Sequence, residues 1–248
     1  HYTVIALENA KNYEVMEEEV KLRTSELMKQ KEEVQRSYEN TKLLSEIAKE
    51  IASELSIPDI LSKVYDNVNS LMDASVFGIG IYKQNENQLY FSGTMEKGEK
   101  LRDFSYVLTE DKIAAHCFNS GNEIVINDWA SEHEQYVAKD YAATEGAMPE
   151  SMIYLPLVSK GNKVGVLTVQ SFAKSSYNEY HLNILRTLSV YVASAIENAS
   201  LYRGMEDRVE ERTKELVKSH DDSKLLNQIG QELISTLNFN TAFETLYS

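Results

Sequence analysis

The chain has 248 residues and a formal net charge of −14 at neutral pH, with 39 acidic residues against 25 lysines and arginines. This balance argues against nucleic-acid and anionic-membrane partners, since both require clustered positive charge. The length allows one or two domains with a sizeable core. A single cysteine excludes an internal disulfide and is typical of a reducing compartment, so we predict a cytoplasmic protein. We expect no signal peptide and no membrane contact within this sequence, because no run of about 18 apolar residues occurs.

The first 57 residues contain neither glycine nor proline, which predicts one long helix or two abutting helices. Pro58 marks a break and predicts the start of a second helix, with Ser56 or Ile57 near its cap. Apolar residues then recur at helical spacing and predict a buried face, made of Ile60, Leu61, Val64, Val68 and Leu71.

A strand-rich region begins at the first glycines, Gly78 and Gly80. Residues 75–82 and 88–92 predict a hairpin, and residues 106–108 predict a short strand. The two glycines lack the third glycine and the strand-to-helix turn of a dinucleotide site, so we assign them to strand packing.

The middle of the chain predicts a helix at 110–120, capped by Thr109 and ended by Gly121. Its apolar face consists of Ile113, Ala114, Cys117 and Phe118. A strand is predicted at 123–127. The polar stretch 128–150 that follows predicts an irregular segment with at most a short helix.

A second hairpin is predicted from strands 152–158 and 164–171, which are apolar at nearly every position. From Tyr180 to about Leu237 the sequence is helical again. The whole order predicts an α+β fold, in which an antiparallel sheet carries helices on its faces and long N- and C-terminal helices bracket it.

Helical sequence repeats within the chain. Residues 7–27 share a pattern with 196–216 at an interval of 189 residues, and 42–47 share one with 224–229 at 182. The two intervals differ by one heptad, a change that a coiled coil tolerates. We therefore expect the sequence to hold one whole unit of a longer array, with the end of one unit before it and the start of another after it.

The repeat predicts four segments. They are a coiled-coil helix at 1–42, a domain at 43–200, a linker at 201–223 and the first helix of a following unit at 224–248.

Apolar residues seven apart predict a coiled-coil seam on both connectors, and with it a parallel homodimer. The seam consists of Tyr13, Val20, Leu27 and Val34 in the first connector, and of Leu188, Ala195, Tyr202, Val209 and Leu216 in the second. Glu206, Thr213 and His220 lie among its companion positions, so the helix pair is predicted to be only modestly stable and able to change register. The alternative is a plain spacer.

The order of these motifs resembles that of GAF domains over about residues 43–200. Residues 151–157 and 165–169 look like the paired late strands of that family, and 120–128 look like the turn and strand after its middle helix. The connector at 209–216 is similar to linkers of bacterial sensor histidine kinases and related tandem-GAF, two-component proteins. The resemblance implies a six-stranded sheet, dimerisation through the bracketing helices and a small-molecule pocket on one sheet face.

Within that family, the signature of cyclic-nucleotide binding is absent. Gln170-Ser171 stands where the family has Asn-Lys, Tyr177 where it has Phe, and His181-Leu182 where it has Asp-Glu. Cyclic nucleotides are therefore disfavoured, although other members bind nucleotides without this signature.

The sequence also lacks the residues for two other chemistries known in the family, bilin attachment and sulfoxide reduction. Bilin-binding members carry a cysteine often followed by histidine, whereas this chain has the reverse order at His116 and Cys117. Sulfoxide-reductase members need several cysteines. Cys117 is therefore interpreted as a core residue, and the chain is predicted not to be an enzyme.

No metal or cofactor is predicted. Glu132, His133 and Glu134 are consecutive in a polar loop, where neighbouring side chains point apart. Residues 219–221 superficially resemble a phosphoacceptor box, but they lack the Arg-Thr-Pro-Leu that follows it in histidine kinases.

A small-molecule pocket remains, and amphipathic residues predict its lining: Trp129, Tyr136, Tyr141, Met152 and Tyr154. Core packing under a loop is the alternative. The function predicted is a non-catalytic sensory or relay module of a signalling protein. The alternatives are a ligand-free dimerisation spacer and a regulatory domain of an enzyme such as a nucleotide cyclase.

Overall fold

The computed structural model describes residues 2–109, 111–138, 141 and 145–246, with side chains except at 2–15, 33, 36, 40 and 235–246. The chain divides into two compact units, one from His1 to Ile196 and the other from Glu197 to Ser248. The helices are α1 Tyr2–Ala52, α2 Ile57–Leu71, α3 Ile113–Ser120, α4 Trp129–Glu132 and α5 Glu179–Leu246, with a 3-10 turn at His133–Gln135. The strands are β1 Val76–Lys83, β2 Gln88–Phe91, β3 Met95–Glu96, β4 Glu99–Lys100, β5 Phe104–Val107, β6 Ile124–Ile126, β7 Ser151–Ser159 and β8 Asn162–Ser171.

The strands of the described residues form one antiparallel sheet of eight, in the order β4-β3-β1-β8-β7-β6. β2 pairs with the other end of β1, and β5 pairs with β2. The α+β class is therefore confirmed, but the six-stranded sheet that the resemblance implied is wrong for this chain. The difference corresponds to β3 and β4, which have two residues each and are too short for side-chain alternation to reveal them.

The two faces of the sheet can be read from β1. Gly78 and Gly80 face the ring of Phe91, which belongs to the core cluster that also includes residues of α3. Phe77 points to the opposite face, where its ring lies 5.6 Å from that of Tyr65 on α2. Helices α2 and α3 thus cover opposite faces, which agrees with the general prediction of helices on the faces of the sheet.

β1 and β8 approach each other closely near the middle of the sheet. A methyl group at Gly165 would lie 2.2 Å from the carbonyl oxygen of Gly80, and one at Gly80 would lie 2.4 Å from the Phe91 ring. Both positions therefore require glycine for space. Strand packing, the role predicted for Gly80, is confirmed.

Some of the predicted helix ends are confirmed and others are wrong. Ser56 is the N-cap of α2 with proline in the first turn, and Gly121 ends α3 with a φ of 72°, both as predicted. The predicted start of α3 was wrong, because the N-cap is Lys112 rather than Thr109; Glu110 lies outside the described residues. Asp111 lies just before the helix, and its carboxylate accepts a 2.7 Å hydrogen bond from the backbone N–H of Ala138.

The end of α5 also differs from expectation, since the helix continues to Leu246 instead of ending near Leu237. None of the described helices combines the length and hydropathy needed to cross a membrane.

A hydrogen-bonded cluster joins the start of β1 to the end of β8. The carboxylate of Asp73 accepts from the N–H and the hydroxyl of Ser75 (2.9 and 2.6 Å) and from the hydroxyl of Ser171. Its backbone oxygen accepts from the Tyr177 hydroxyl at 2.8 Å. Partial burial would raise the pKa of Asp73, but the hydrogen bonds from Ser171 and Ser75 outweigh it and leave the pKa below its usual value.

Replacing Gly165 with alanine should destabilise the first unit by about 3 kcal/mol, because the new methyl group meets backbone that cannot move without disrupting the β1–β8 pairing. Urea unfolding followed by circular dichroism measures this loss. The matched control is G204A. Gly204 lies in α5 with no atom within 4 Å of an added Cβ, so that change should cost nothing or stabilise slightly. A G165A protein as stable as the wild type would contradict the packing described.

D73N should lower the free energy of unfolding by about 1 kcal/mol at neutral pH, a modest figure because Asp73 is exposed and solvent screens it. Because the pKa of Asp73 is lower in the folded state than in the unfolded state, its charge stabilises the folded protein when the pH is above the unfolded-state pKa of about 3.9. That stabilisation is lost as the pH falls through the folded-state pKa. The difference between wild type and D73N should therefore shrink below about pH 4. Urea unfolding over a pH series measures it, with D66N, an exposed carboxylate of α2, as the control. A difference independent of pH would exclude this role for the Asp73 charge.

Candidate functional site

A cavity of about 70 Å³ lies on the Phe91 face of the sheet, between the strands and the segment 145–149. The described residues that line it come from six strands, from the turns at Thr94 and Leu101, from α3, and from residues 141 and 145–149. They are Val76, Phe91, Thr94, Glu96, Leu101, Phe104, Tyr106, Ile113, Tyr141, Glu145, Ala147, Met148, Pro149, Met152, Tyr154, Thr168 and Gln170.

The register of β7, β8 and β1 builds the floor of the cavity. Tyr154 pairs with Thr168, and Thr168 pairs with Gly78 on the next strand. The adjacent row pairs Met152 with Gln170 and Gln170 with Val76. Residues paired across antiparallel strands share a face, so both rows present their side chains to the same side of the sheet.

Three buried polar side chains on this floor bond to one another. The amide nitrogen of Gln170 donates to the hydroxyl oxygens of Tyr154 (3.0 Å) and Thr168 (2.9 Å). Burial raises the pKa of Tyr154 far above its ordinary value, so its phenol stays neutral. The floor therefore offers uncharged hydrogen-bonding groups in an apolar surrounding.

Thr94 adds a hydroxyl that lacks a partner. Its side chain is 5% exposed, lines the cavity, and has no hydrogen-bond partner for Oγ1 among the described residues. An added Cβ at Gly78 would lie 3.3 Å from this oxygen, so the glycine leaves the hydroxyl room. Buried polar atoms are almost always paired, so an unpaired hydroxyl on a residue that lines a cavity is unusual.

Aromatic rings form one wall. The Phe91 and Phe104 rings stack with centroids 5.0 Å apart, and the Tyr106 centroid lies 5.6 Å from that of Phe91. At the other side, burial raises the pKa of Tyr141 to about 12, and the ammonium of Lys112 lies 5.1 Å from its ring centroid. The wall is therefore apolar and rich in π-electron surface.

The segment 145–149 covers the cavity and is held at both sides. The backbone N–H of Ala147 donates to Glu96 Oε2 at 3.0 Å. Glu150 next to it donates its N–H to the carbonyl of Ser171 (2.9 Å), and its carbonyl accepts from the N–H of Trp129 (2.8 Å). Glu96 and Glu145 are the charged residues of the described lining, which contains no lysine or arginine.

The structure brings three of the five predicted pocket residues to the cavity: Tyr141, Met152 and Tyr154 line it. Trp129 and Tyr136 do not line it and instead pack against the neighbouring core cluster. The Trp129 ring stacks on His133 with centroids 4.5 Å apart, and its centroid lies 5.4 Å from that of Tyr141.

The sequence interpretation missed the polar floor and the unpaired hydroxyl. A signal for the floor does exist, because Thr168 and Gln170 alternate with apolar residues in a strand that is otherwise apolar, and alternate residues share a face. Thr94 and Glu96 gave no comparable signal, since they belong to the short segment around β3.

Cys117 and His116 occupy structural positions. Cys117 is fully buried, and desolvation raises the pKa of its thiol to about 12. Reactive cysteines are accessible and have lowered pKa values, so this thiol has neither property of a nucleophile. His116 is exposed and lies 2.9 Å from Asp111.

Two of the three consecutive residues 132–134 make local hydrogen bonds to the backbone. The Glu132 carboxylate accepts from the N–H groups of Asn127 and Asp128, each at 3.2 Å. The His133 ring pairs through Nδ1 with the carbonyl of Trp129 at 2.6 Å. Among the described side chains, no three of the His, Cys, Asp and Glu type are close enough to hold a metal ion.

The proposed seam residues fall into two groups. Leu188 and Ala195 are buried within the single chain. The others with described side chains are more than half exposed, namely Val20, Leu27, Val34, Tyr202, Val209 and Leu216. The side chain of Tyr13 lies outside the described residues. His220 is exposed on the second unit.

Many solved structures resemble this fold, and two of them serve as examples. The GAF domain of an Acinetobacter phosphoenolpyruvate-protein phosphotransferase superposes with a TM-score of 0.55 at 22% identity, covering 65% of this chain and 94% of that one. The free methionine-R-sulfoxide reductase of Neisseria meningitidis gives 0.54 at 16% identity, covering 66% and 91%. At these identities the likeness concerns the fold alone.

A curated relative and a family model extend the comparison. The formate hydrogenlyase transcriptional activator FhlA of Escherichia coli K-12 is 23% identical over 179 residues, which span 71% of this chain and 26% of the relative's length. The family model that matches is that of the GAF domain, over residues 54–197. Because this match covers more than half of its residues, the chain belongs to the GAF domain family of regulatory and sensory modules.

Proposed function

We propose that the domain binds a small ligand in the cavity and transmits the bound state through β8 to α5. The observation that carries this proposal is the Thr94 hydroxyl, which is buried at the cavity without a partner among the described residues. Leaving such a group unpaired costs about 1–3 kcal/mol. A ligand that bonds to it recovers that free energy, which gives the residue a purpose that core packing does not.

Transmission is supported by the contacts at the end of β8. Gln170 lies on the cavity floor, and the next residue, Ser171, donates to the Asp73 carboxylate. The Ser176 hydroxyl donates to Ser171 Oγ at 2.8 Å, and α5 begins three residues later, at Glu179. A displacement of Gln170 therefore has a short bonded route to the start of α5.

Dimerisation through the helices remains part of the proposal. Val20, Leu27 and Val34 are exposed at intervals of seven, and so are Tyr202, Val209 and Leu216. Exposed apolar residues in this pattern favour a partner helix. We propose a parallel homodimer and keep the segments 1–42, 43–200, 201–223 and 224–248 as its organisation within a larger signalling protein.

We further propose that the module is not catalytic. The sulfoxide reductase with the same fold is an enzyme, but the one cysteine of this chain is buried and has a raised pKa. The observed cavity favours a ligand-binding role over a ligand-free spacer. The alternative output of the same binding event is regulation of a nucleotide cyclase or a similar enzyme.

Replacing Thr94 with valine tests the ligand role. T94V removes the unpaired hydroxyl without changing the side-chain shape, so the unliganded protein should be more stable by about 1 kcal/mol. A thermal-shift screen of small metabolites on the wild type should find a ligand whose stabilisation grows with concentration by mass action. T94V should respond to that ligand at least about fivefold more weakly, the loss expected for one hydrogen bond of about 1 kcal/mol.

T168V is the matched control, since it makes the same chemical change at a hydroxyl that is bonded. It should destabilise the unliganded protein by about 1 kcal/mol, because the amide of Gln170 loses an acceptor. A T94V protein that is less stable than wild type, or that responds fully to every ligand found, would refute the role given to Thr94. A screen without any stabilising compound would count against ligand sensing itself.

Insertions after Leu216 test the relay in the full-length protein. One to three added residues rotate the seam by about 100° each and should abolish ligand-dependent regulation of the output activity. Seven added residues restore the register and should preserve it. Unchanged regulation after the short insertions would exclude transmission along this helix.

A further inference from the structure

We infer that the exposed apolar face of α5 around Ile229 and Leu233 is a docking face for a second domain of the same α+β fold, formed by chain that follows residue 248. This inference does not depend on ligand binding in the cavity. It rests on the proposed segment 224–248 and specifies which of its side chains the second domain covers.

The similarity between the two helical segments extends well beyond residues 42–47. Residues 42–65 and 224–247 align without a gap at the constant interval of 182, and eight of the 24 residues are identical. The first of these segments contains the end of α1 and the start of α2. The second segment therefore has a sequence typical of the helices that open the folded unit.

The two segments differ in how their apolar side chains are covered. Ile47 and Ile51 are 3% and 0% exposed, whereas their counterparts Ile229 and Leu233 are 44% and 59% exposed. The first pair is covered inside the first unit, where α1 contacts α2. The second pair has large aliphatic side chains at the same positions, but the described residues of the second unit leave them open to solvent.

This difference is confined to one face of the helix. Ala48 is buried and Leu44 is half-buried on the same face of α1 as Ile47, whereas Leu226, the counterpart of Leu44, is exposed. The four positions of the face lie three or four residues apart, as one side of a helix requires. On another side, Leu43 and its counterpart Leu225 are both exposed. The comparison therefore identifies a particular face, not a generally apolar helix.

A helix of a second copy of the chain is the competing occupant, since Gly230 continues the seven-residue spacing of Leu216. Glycine weakens a helix and adds no side chain to a coiled-coil seam, and Ser223 at the preceding seam position is polar. Ala48, the counterpart of Gly230, is buried inside the first unit. Small residues at this position suit close packing within a domain, so a following domain is the favoured occupant.

The rest of the match accounts for the next helix of that domain. Three buried residues of α2 have apolar counterparts, with Ala242, Phe243 and Leu246 in the places of Ile60, Leu61 and Val64. Asn238 stands in the place of Ser56, the N-cap of α2, and asparagine is a preferred N-cap residue. Because α5 is continuous through this region, we expect it to break just before Asn238 when the second domain docks.

Amide hydrogen exchange followed by mass spectrometry tests the docking face. The 248-residue chain and the full-length protein would be compared at the same concentration. Exchange at residues 225–234 should be slower by at least about tenfold in the full-length protein, because amides in a covered helix exchange only when the contact opens.

I229D and L225D form a matched pair in the full-length protein, since each replaces a large aliphatic side chain with a carboxylate. I229D should remove most of the slowing at 225–234, because an unpaired carboxylate is costly to bury at the position that corresponds to Ile47. L225D should retain the slowing, because its counterpart Leu43 is exposed in the folded first unit.

The outcomes separate this inference from the proposed function. Equal exchange at 225–234 in the two proteins, or equal effects of I229D and L225D, would overturn the docking face. Slowing that already occurs in the 248-residue chain, extends over residues 205–216 and increases with protein concentration would identify a partner helix instead. That result would also overturn the docking face and would support the proposed homodimer. Ligand sensing is decided independently by the metabolite screen with wild-type and T94V proteins.

Discussion

The close contact between β1 and β8 sets the geometry on which the rest of the first unit depends. A side chain at Gly165 would meet the backbone of β1, and the absence of a side chain at Gly80 lets the Phe91 ring lie across β1. The same pairing fixes the register that brings Thr168 opposite Gly78 and Gln170 opposite Val76. A shift by one residue would turn both polar side chains to the other face, because side chains alternate along a strand. The floor of the cavity is therefore a result of backbone packing.

The cavity combines two environments that are normally kept apart. Its floor carries neutral polar groups that are hydrogen-bonded to one another, whereas its two carboxylates are Glu96 on β3 and Glu145. Tyr154 cannot supply charge, since burial keeps its phenol protonated. The charged groups of the described lining are then Glu96 and Glu145, and the rest of the lining offers rings, apolar side chains and neutral hydroxyls.

The sequence predicted most of the architecture because its signals were local. Pro58 and Gly121 mark helix boundaries through their own backbone preferences, and the apolar runs of β7 and β8 identify a buried hairpin. The start of α3 was missed because Thr109 has a residue type preferred at N-caps, whereas the observed N-cap, Lys112, makes no side-chain capping bond. Only part of the cavity lining was predicted. Tyr141, Met152 and Tyr154 were identified by residue type, whereas Thr94 and Glu96 reach it only through the pairing of β3 with β1.

The hydrogen bond from Ala147 to Glu96 has a kinetic consequence. Residues 147–149 belong to the lining, and the Ala147 N–H bonds to Glu96 on β3, so this one contact joins two parts of the cavity wall. If the proposed ligand enters past this segment, its residence time is governed by how often that hydrogen bond opens as well as by the contacts that hold the ligand.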